Sequence, residues 1–321
     1  MRSRLARASL IAGAITASAA LWICWQFDRD ITQANARVAR GSVLIATRCG
    51  PIEYQEAGSG VPLLAVHGSG GGYDQGMAFA APLARQGIRV IAMSRFGYLR
   101  TPMPPDASAA AQADAHACLL DALRIDKAAV MGGSAGAPSA LQMAIRHPGR
   151  VTALVLVVPL IYKPPALADS AAPLPPAVEN ALMRLIGSDF LFWSALHVAR
   201  NQLIKVVLAT PPELLARASP REHARATTML ENILPVSARV KGLAYDPAAG
   251  KHLVPDSLAS VQARTLIISA RDDGYGTYAS ANYTASAIAG ARFIGFDEGG
   301  HIWIGHNDEV MAEIAKLVTA R

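Results

Sequence analysis

The sequence predicts an α/β fold: a mostly parallel twisted sheet with helices on both faces, an inserted helical cap, and a membrane-anchor helix in front. Three observations carry this. Short apolar runs alternate with helical patterns across residues 43–159 and again across 261–321, the rhythm of strands joined by crossover helices. Between about residues 160 and 260 that rhythm stops, and a proline-punctuated linker with helical segments replaces it. Ahead of both lies a long uncharged apolar stretch.

Residues 1–30 form the first unit. Arg2, Arg4 and Arg7 precede an apolar run over 8–27, which Asp28, Arg29 and Asp30 close. At about 1.5 Å per residue, such a helix crosses a hydrocarbon core of roughly 30 Å. Cations before the span favour an amino end in the cytoplasm, with the body on the periplasmic side of a bacterial inner membrane. A cleaved signal is the alternative: Ala17-Ser18-Ala19 fits a small-x-small site, and cleavage there leaves a secreted protein. The run continues past that site through Leu21, Trp22, Ile23 and Trp25, which favours an uncleaved anchor. Trp22 and Ile23 are too large to precede a lipidated Cys24. Residues 31–42 read as a polar tether.

The first part of the body, 43–159, opens on an antiparallel pair over 43–47 and 52–57. A buried strand over 62–66 runs into His67-Gly68-Ser69-Gly70-Gly71-Gly72. Asp106 is placed to cap an Ala-rich helix reaching residue 123. A short strand over 128–131 precedes a helical pattern over 137–147 that Pro148 stops. A sixth strand covers 151–158. In the cap, 160–260, Pro164, Pro165, Pro173, Pro175 and Pro176 mark a linker, and helices are predicted over 177–186, 190–208, 212–218 and 221–234. The second part, 261–321, supplies strands over 265–269 and 291–296 and a last helix over 308–319 capped by Asn307.

The most informative motif is G-x-S-x-G at 132–136, with Ser134 between the strand and the helix. A strand, a sharp turn and a helix expose a hydroxyl above a sheet, and the close backbone leaves room only for glycine on either side. The chain holds 26 glycines, so the pentapeptide gains its meaning from what surrounds it. Acyl transfer builds negative charge on a carbonyl oxygen and needs N–H donors aimed at it. The loop after the third strand offers one from Ser69 or Gly70, and Ala135 offers the other. A serine hydroxyl also needs an imidazole to take its proton, and the imidazole needs a carboxylate to orient it. Asp272 and Asp273 follow the strand over 265–269; His301 follows the strand over 291–296. Both loops are expected at the same sheet edge as Ser134.

At these residues the chain resembles the α/β-hydrolase superfamily over roughly residues 43–321. By that resemblance Ser134 matches the nucleophile, His301 the general base and Asp273 the acid, with Asp272 as the alternative acid. Residues 94–102 are similar to the superfamily's loop after the fourth strand, although Ser94 stands where relatives usually carry an acid. The insertion after the sixth strand resembles the superfamily's helical cap. The resemblance implies a serine hydrolase cleaving an ester or similar acyl bond of an apolar small molecule. A carbon–carbon bond hydrolase is the nearest rival, because His67-Gly68-Ser69-Gly70 is similar to the loop of those enzymes. Thioesterase, peptidase and cofactor-free haloperoxidase activities share the same parts, and a non-catalytic binding protein keeping the fold is the rival of another class. Asp at the nucleophile position marks epoxide hydrolases and haloalkane dehalogenases, so Ser134 argues against both.

Other chemistries find little support. The chain has no H-E-x-x-H, its histidines and cysteines lack ligand spacing, and no cofactor or metal is expected. His67 reads as a brace for its loop; His116, His147, His197, His223 and His252 read as surface or cap residues. His306 lies beside the last helix cap, so His301 is the better base. No acid follows the sixth strand within residues 159–168, which disfavours an acid there. Residues 1–40 account for +4 of the net charge of +6, and no basic cluster with interleaved aromatics suggests nucleic acid. Three cysteines demand no disulfide framework, and a Cys49–Cys118 bridge is left open. The apolar face from Phe190, Leu191, Phe192, Trp193, Leu196, Leu203, Val206 and Val207 has three readings: packing on the body, lining an acyl pocket, or touching lipid.

Overall fold

The strands that the apolar runs predict assemble into one sheet in the computed structural model, which describes residues 2–162, 164, 184, 187–249 and 255–320. They are β1 (Val43–Thr47), β2 (Gly50–Ala57), β3 (Val61–Val66), β4 (Ile88–Met93), β5 (Ala128–Gly133), β6 (Val151–Val157), β7 (Arg264–Ala270) and β8 (Arg292–Phe296). Their order across the sheet is β1-β2-β4-β3-β5-β6-β7-β8. β1 and β2, and β2 and β4, pair antiparallel; every other neighbour is parallel. β3, β5 and β6 are buried along nearly their whole length, as parallel strands covered on both faces must be.

The α-helices among the described residues are α1 (Arg2–Arg40), α2 (Tyr73–Ala80), α3 (Ala109–Ala122), α4 (Ala137–Arg146), α5 (Asp189–Val198), α6 (Arg200–Val206), α7 (Pro212–Ala216), α8 (Pro220–Glu231), α9 (Val240–Ala249), α10 (Thr277–Ala287) and α11 (Asn307–Thr319). Register sorts the strand residues onto two faces. Leu64 lies opposite Ile91 and Val130, and these pack under α3 and α4 with Leu119, Ala140 and Met143. One residue earlier, Leu63 lies opposite Val90 and Ala129 and faces the other way, toward Ala80 of α2 and Val310 and Ile314 of α11. β4 and β5 flank β3 on opposite sides, so the strand order reverses there. The loops after β3 and β5 therefore meet at a topological switch point on the carboxyl edge, the usual place of a binding crevice in such sheets.

Between β6 and β7 the described helices α5 to α8 build a third core of their own, including Phe192, Leu196, Ile204, Leu215, Met229 and Leu230. Ile302 and Ile304, from the loop after β8, join it and seat it over the carboxyl edge. The helix read as 190–208 is two helices, because Ala199 leaves the helical region at φ −140°. α9 lacks a predicted counterpart; Gly242 and Pro247 inside it hide any helical pattern. The predicted helix 177–186 is almost wholly outside the described residues, with Pro165, Pro173, Pro175, Pro176 and His252.

Three local readings need correction. Ser108, not Asp106, caps α3: its Oγ accepts from the Ala111 N–H at 3.2 Å, while Asp106 accepts from the N–H of Ser108. Asn307 is the first residue of α11 and takes the Trp303 indole N–H instead of capping. The segment 31–42 is helical through Arg40, continuous with the apolar span. No glycine or proline interrupts it after Gly13, and Phe27, Ile31 and Ala34 repeat at helical spacing toward the cap core. Cys49, in the β1–β2 turn, is disulfide-bonded to Cys118 of α3.

Candidate active site

Ser134 stands at φ 49°, in the left-handed region, at the apex between β5 and α4. A non-glycine residue there is strained and persists because the surroundings fix it. A Cβ on Gly136 would collide with the carbonyl oxygens of Val66 and His67; one on Gly132 would lie 2.7 Å from the Ala140 Cβ. The two glycines of the motif are therefore required by β3 and by α4.

The Ser134 hydroxyl lies 2.9 Å from Nε2 of His301, and Nδ1 of His301 lies 2.9 Å from Oδ2 of Asp273. The carboxylate only accepts, so Nδ1 carries the proton and Nε2 is free to take one from Ser134. Asp273 and His301 are both buried, and Asp273 also accepts from the N–H of Tyr275 at 2.9 Å and from the Thr277 hydroxyl. Asp272 does something else: its two oxygens accept from the N–H groups of Gly300 at 2.8 Å and Gly299 at 3.2 Å. One aspartate thus meets the imidazole while its neighbour folds the loop that carries it. Gly299 and Gly300 sit at φ 147° and 61°, so that loop needs its glycines.

A strap from the cap, which no sequence motif announces, holds both loops. Ala209 accepts from the N–H of Gly274 at 2.9 Å, and the Thr210 hydroxyl accepts from the N–H of His301 at 3.0 Å. A Cβ on Gly300 would meet the Thr210 hydroxyl at 2.5 Å. The loops of Asp273 and His301 are thereby clamped to residues between α6 and α7.

The loop after β3 closes on Ser134 from the other side, where a Cβ on Gly68 would lie 3.0 Å from the Ser134 Cβ. Gln75 of α2 braces this loop by accepting from the N–H of Gly68 at 2.9 Å. His67 is fully buried; it donates from Nδ1 to the Gly68 carbonyl and accepts from the N–H of Arg95 at Nε2. Burial first, and the Arg95 charge second, push its pKa well below 6.5, so it is a neutral brace. Ser69 donates to Asp246 of α9 at 2.6 Å, and that carboxylate also takes Arg95 at 2.8 Å and the Tyr98 hydroxyl. Gly70 faces Ile233 from the cap at van der Waals distance. Beyond Ala135 a small cavity meets Arg95, Gln112 and Asp246, and Nε of Arg95 and Nε2 of Gln112 are buried without an acceptor. Two such donors suit a substrate oxygen or an ordered water.

A second carboxylate, its side chain 9% exposed, anchors the far end of the loop. Asp74 takes Arg239 at 2.8 Å and Arg37 at 2.5 Å, and Arg239 also donates to the Gly71 carbonyl. Burial alone would raise the Asp74 pKa, but the guanidiniums of Arg239 and Arg37 outweigh it and hold it below 3.8. At Ser94, where the resemblance leads to an acid being expected, a carboxylate does arrive, but from β2: Glu53, fully buried, accepts from Ser94 at 2.9 Å and from Arg100 at 2.7 Å. His116 is buried against Ser139, contrary to its surface reading, and His147 pairs with Asp114. Among the described residues no group of three His, Cys, Asp or Glu side chains is placed to hold a metal.

This geometry has relatives. A dienoate hydrolase of Comamonas testosteroni, named for 2-hydroxy-6-oxo-6-phenylhexa-2,4-dienoate, is 26% identical over 258 residues, covering 78% of this chain and 84% of that one. A 2-hydroxymuconate semialdehyde hydrolase of Pseudomonas sp. (strain CF600) is 39% identical over 106 residues, 32% of this chain and only 38% of the relative. The solved structure of an alpha/beta hydrolase fold protein from Nakamurella multipartita superposes with a TM-score of 0.70 at 28% identity, covering 87% of this chain and 99% of that one. The sequence model of the alpha/beta hydrolase fold family matches residues 61–305. A match that runs from β3, through Ser134 and the cap, to the loop past His301 means that this chain belongs to the alpha/beta hydrolase fold family.

Proposed function

We propose that the protein is a membrane-tethered serine hydrolase that cleaves a carboxylic ester, or a similar acyl bond, of an uncharged apolar small molecule. The hydrogen-bonded line from Ser134 through His301 to Asp273 is the observation that supports this most. Ser134 Oγ attacks the carbonyl carbon as its proton passes to Nε2 of His301, and Asp273 stabilises the imidazolium. Backbone N–H groups of Ala135 and of Ser69 or Gly70 hold the oxyanion. Collapse of the tetrahedral intermediate expels the alcohol, which takes the proton back from His301. Water then repeats the sequence on the acyl-enzyme and releases the acid.

A fluorophosphonate probe on the full chain tests this. The wild type should be labelled and Ser134→Ala should not, with turnover falling by a factor of about 10⁴ or more. Equal labelling of the two would overturn the assignment.

A second reading, carbon–carbon bond hydrolysis, is favoured by the names of the relatives above. Their named substrates carry a carboxylate, whereas here the two buried arginines beside the site loop are already engaged: Arg95 by Asp246 and Arg239 by Asp74. This charge balance favours a neutral ester. Rates on p-nitrophenyl esters of increasing chain length, compared with rates on a 2-hydroxy-6-oxo-dienoate, separate the two readings.

The anchor reading holds that α1 crosses the membrane with its amino end in the cytoplasm and the body outside; secretion after cleavage is the alternative. One helix window within Ser9–Arg40 is long and apolar enough to span. The Cys49–Cys118 bridge supports the extracytoplasmic side, because disulfides persist in oxidising compartments. Carbonate extraction of membranes, followed by protease accessibility, tests both halves of this statement.

A further inference from the structure

α1 is one unbroken helix, and its environment changes at a sharp point. Residues 9–25 are exposed along their whole length, and contact with the body begins at Gln26 and Phe27. This is also where the apolar run ends. The Phe27 ring packs edge-on against Phe190 at 5.2 Å and Trp193 at 5.6 Å, both on α5. Asp30, one turn further on, accepts from the Trp193 indole at 3.0 Å, and Arg37 reaches Asp74 and the carbonyls of Asn232 and Leu234. The exit of the span is therefore bolted to the cap instead of being joined by a loose tether.

Seven of the ten residues of α5 are apolar, with Ser194 and the exposed His197 on its outer side. Phe192, Trp193 and Leu196 point into the cap core, while Phe190, Leu191 and Val198 remain 43%, 45% and 85% exposed. At 3.6 residues per turn these three fall within an arc of about 100° on the helix surface. A helix whose outer side carries one aromatic and two aliphatic side chains around Ser194 and His197 suits a boundary where apolar and polar groups both find partners. Such an environment lies beside it, since Phe27 is both the last residue of the apolar span and the neighbour of Phe190.

We propose that the Phe190–Leu191–Val198 face of α5 rests in the lipid surface where α1 leaves the bilayer, fixing the orientation of the cap and drawing acyl substrate from the lipid side. The occupant is a bilayer interface, which accepts aromatic and aliphatic side chains at headgroup depth. The proposal rests on the anchor reading given above. Of the three roles that the sequence leaves open for this apolar face, Phe192 and Trp193 serve packing, and Phe190 and Leu191, joined by Val198, serve lipid.

The test uses the full chain in phosphatidylcholine vesicles, with Cys24→Ser as background and an environment-sensitive NBD label on Leu191→Cys or Val198→Cys. Lys127→Cys, exposed just before β5 at the opposite edge of the sheet, is the control. Labels at 191 and 198 should shift to the blue and be quenched severalfold more than the control by lipids carrying a shallow spin label. Vesicle-bound protein whose 191 and 198 labels behave like the Lys127 label overturns the proposal while leaving the anchor standing. Protein that fails to float with the vesicles overturns both. As a second measurement, Leu191→Glu with Val198→Glu should slow hydrolysis of a bilayer-dissolved long-chain ester severalfold and leave a water-soluble acetyl ester unaffected. Equal slowing of both esters counts against lipid-side entry.

Discussion

Two adjacent aspartates at 272 and 273 do unlike work, and the difference is measurable. Asp273→Asn places an amide donor against Nδ1 and forces the proton to Nε2, where it blocks acceptance from Ser134. Turnover should fall by about 10⁴. Asp272→Asn keeps an acceptor for the Gly299–Gly300 loop but loses the charge, so it should cost about 1–2 kcal/mol of stability and much less turnover. Urea unfolding and steady-state rates on the pair check this, and the reverse ranking would remove Asp273 from the acid role. His116 supplies a pH dependence. Burial lowers its pKa from 6.5 to about 3, so between those values the unfolded chain holds a proton that the folded chain lacks. Stability attributable to this group is therefore full above about pH 6.5 and declines as pH falls, by about 1.4 kcal/mol per pH unit. His116→Gln should flatten the pH–stability curve by that slope, read from unfolding midpoints between pH 7 and 5. That Ser134 and His301 meet at one sheet edge is legible in the sequence because their loops carry glycine signatures. The Asp272–Asp273 ambiguity is not resolvable there: both side chains follow the same strand, and only their opposite directions distinguish them. The Ala209–Thr210 strap is equally invisible, since two small residues carry no chemical pattern.

Among the elements, those with a strong period can be read from sequence and those with mixed duties cannot. β3 and β5 appear as runs without a polar side chain, and β6 and β7 as apolar runs broken only by Thr152 and by Arg264, Thr265 and Ser269, because both of their faces are covered. α9 leaves no such pattern because its residues answer to the core rather than to a helix stripe. Gly242 is needed where the Tyr98 ring crowds it, and Asp246 leaves the cap to meet Arg95. The α1 extension reads as a tether because its polar residues mask the Phe27, Ile31 and Ala34 stripe. At this scale the Asp74 knot is the decisive contact, joining α1 through Arg37, the cap through Arg239 and the site loop through the Gly71 carbonyl. Arg239 is wholly buried, so Arg239→Met removes one of two partners from a carboxylate whose side chain is only 9% exposed. The expected loss is about 3 kcal/mol, the lower end for a broken buried pair because Arg37 remains. Denaturant midpoints test it; a change below about 1 kcal/mol, on the scale of exposed pairs, would show that the knot is solvated.

For the whole molecule, the fold keeps the edge that carries Ser134 and the proposed membrane attachment on separate parts of one frame. The switch point lies at the carboxyl edge of β3 and β5, the cap covers it, and α1 reaches the cap from outside the sheet. The antiparallel edge of that sheet is less well covered, since β1 is largely exposed. The Cys49–Cys118 bridge secures it, tying the β1–β2 turn to α3 across a sequence separation of 69 residues. Closing a loop of that length restricts the unfolded chain and is worth about 4 kcal/mol on the chain-entropy account. Reduced protein, or the Cys49→Ser and Cys118→Ser double variant, should therefore unfold at markedly lower denaturant concentration than oxidised protein, with the β1–β2 edge exchanging amide hydrogens first. Ser134 and His301 lie far from that edge in the strand order, so the remaining folded fraction should keep its turnover. Because the double variant lacks thiols at both positions, reductant should not lower its stability further; a further loss would trace the effect to something other than this bridge. A measured loss on that scale would support the extracytoplasmic placement proposed above, since disulfides persist in oxidising compartments.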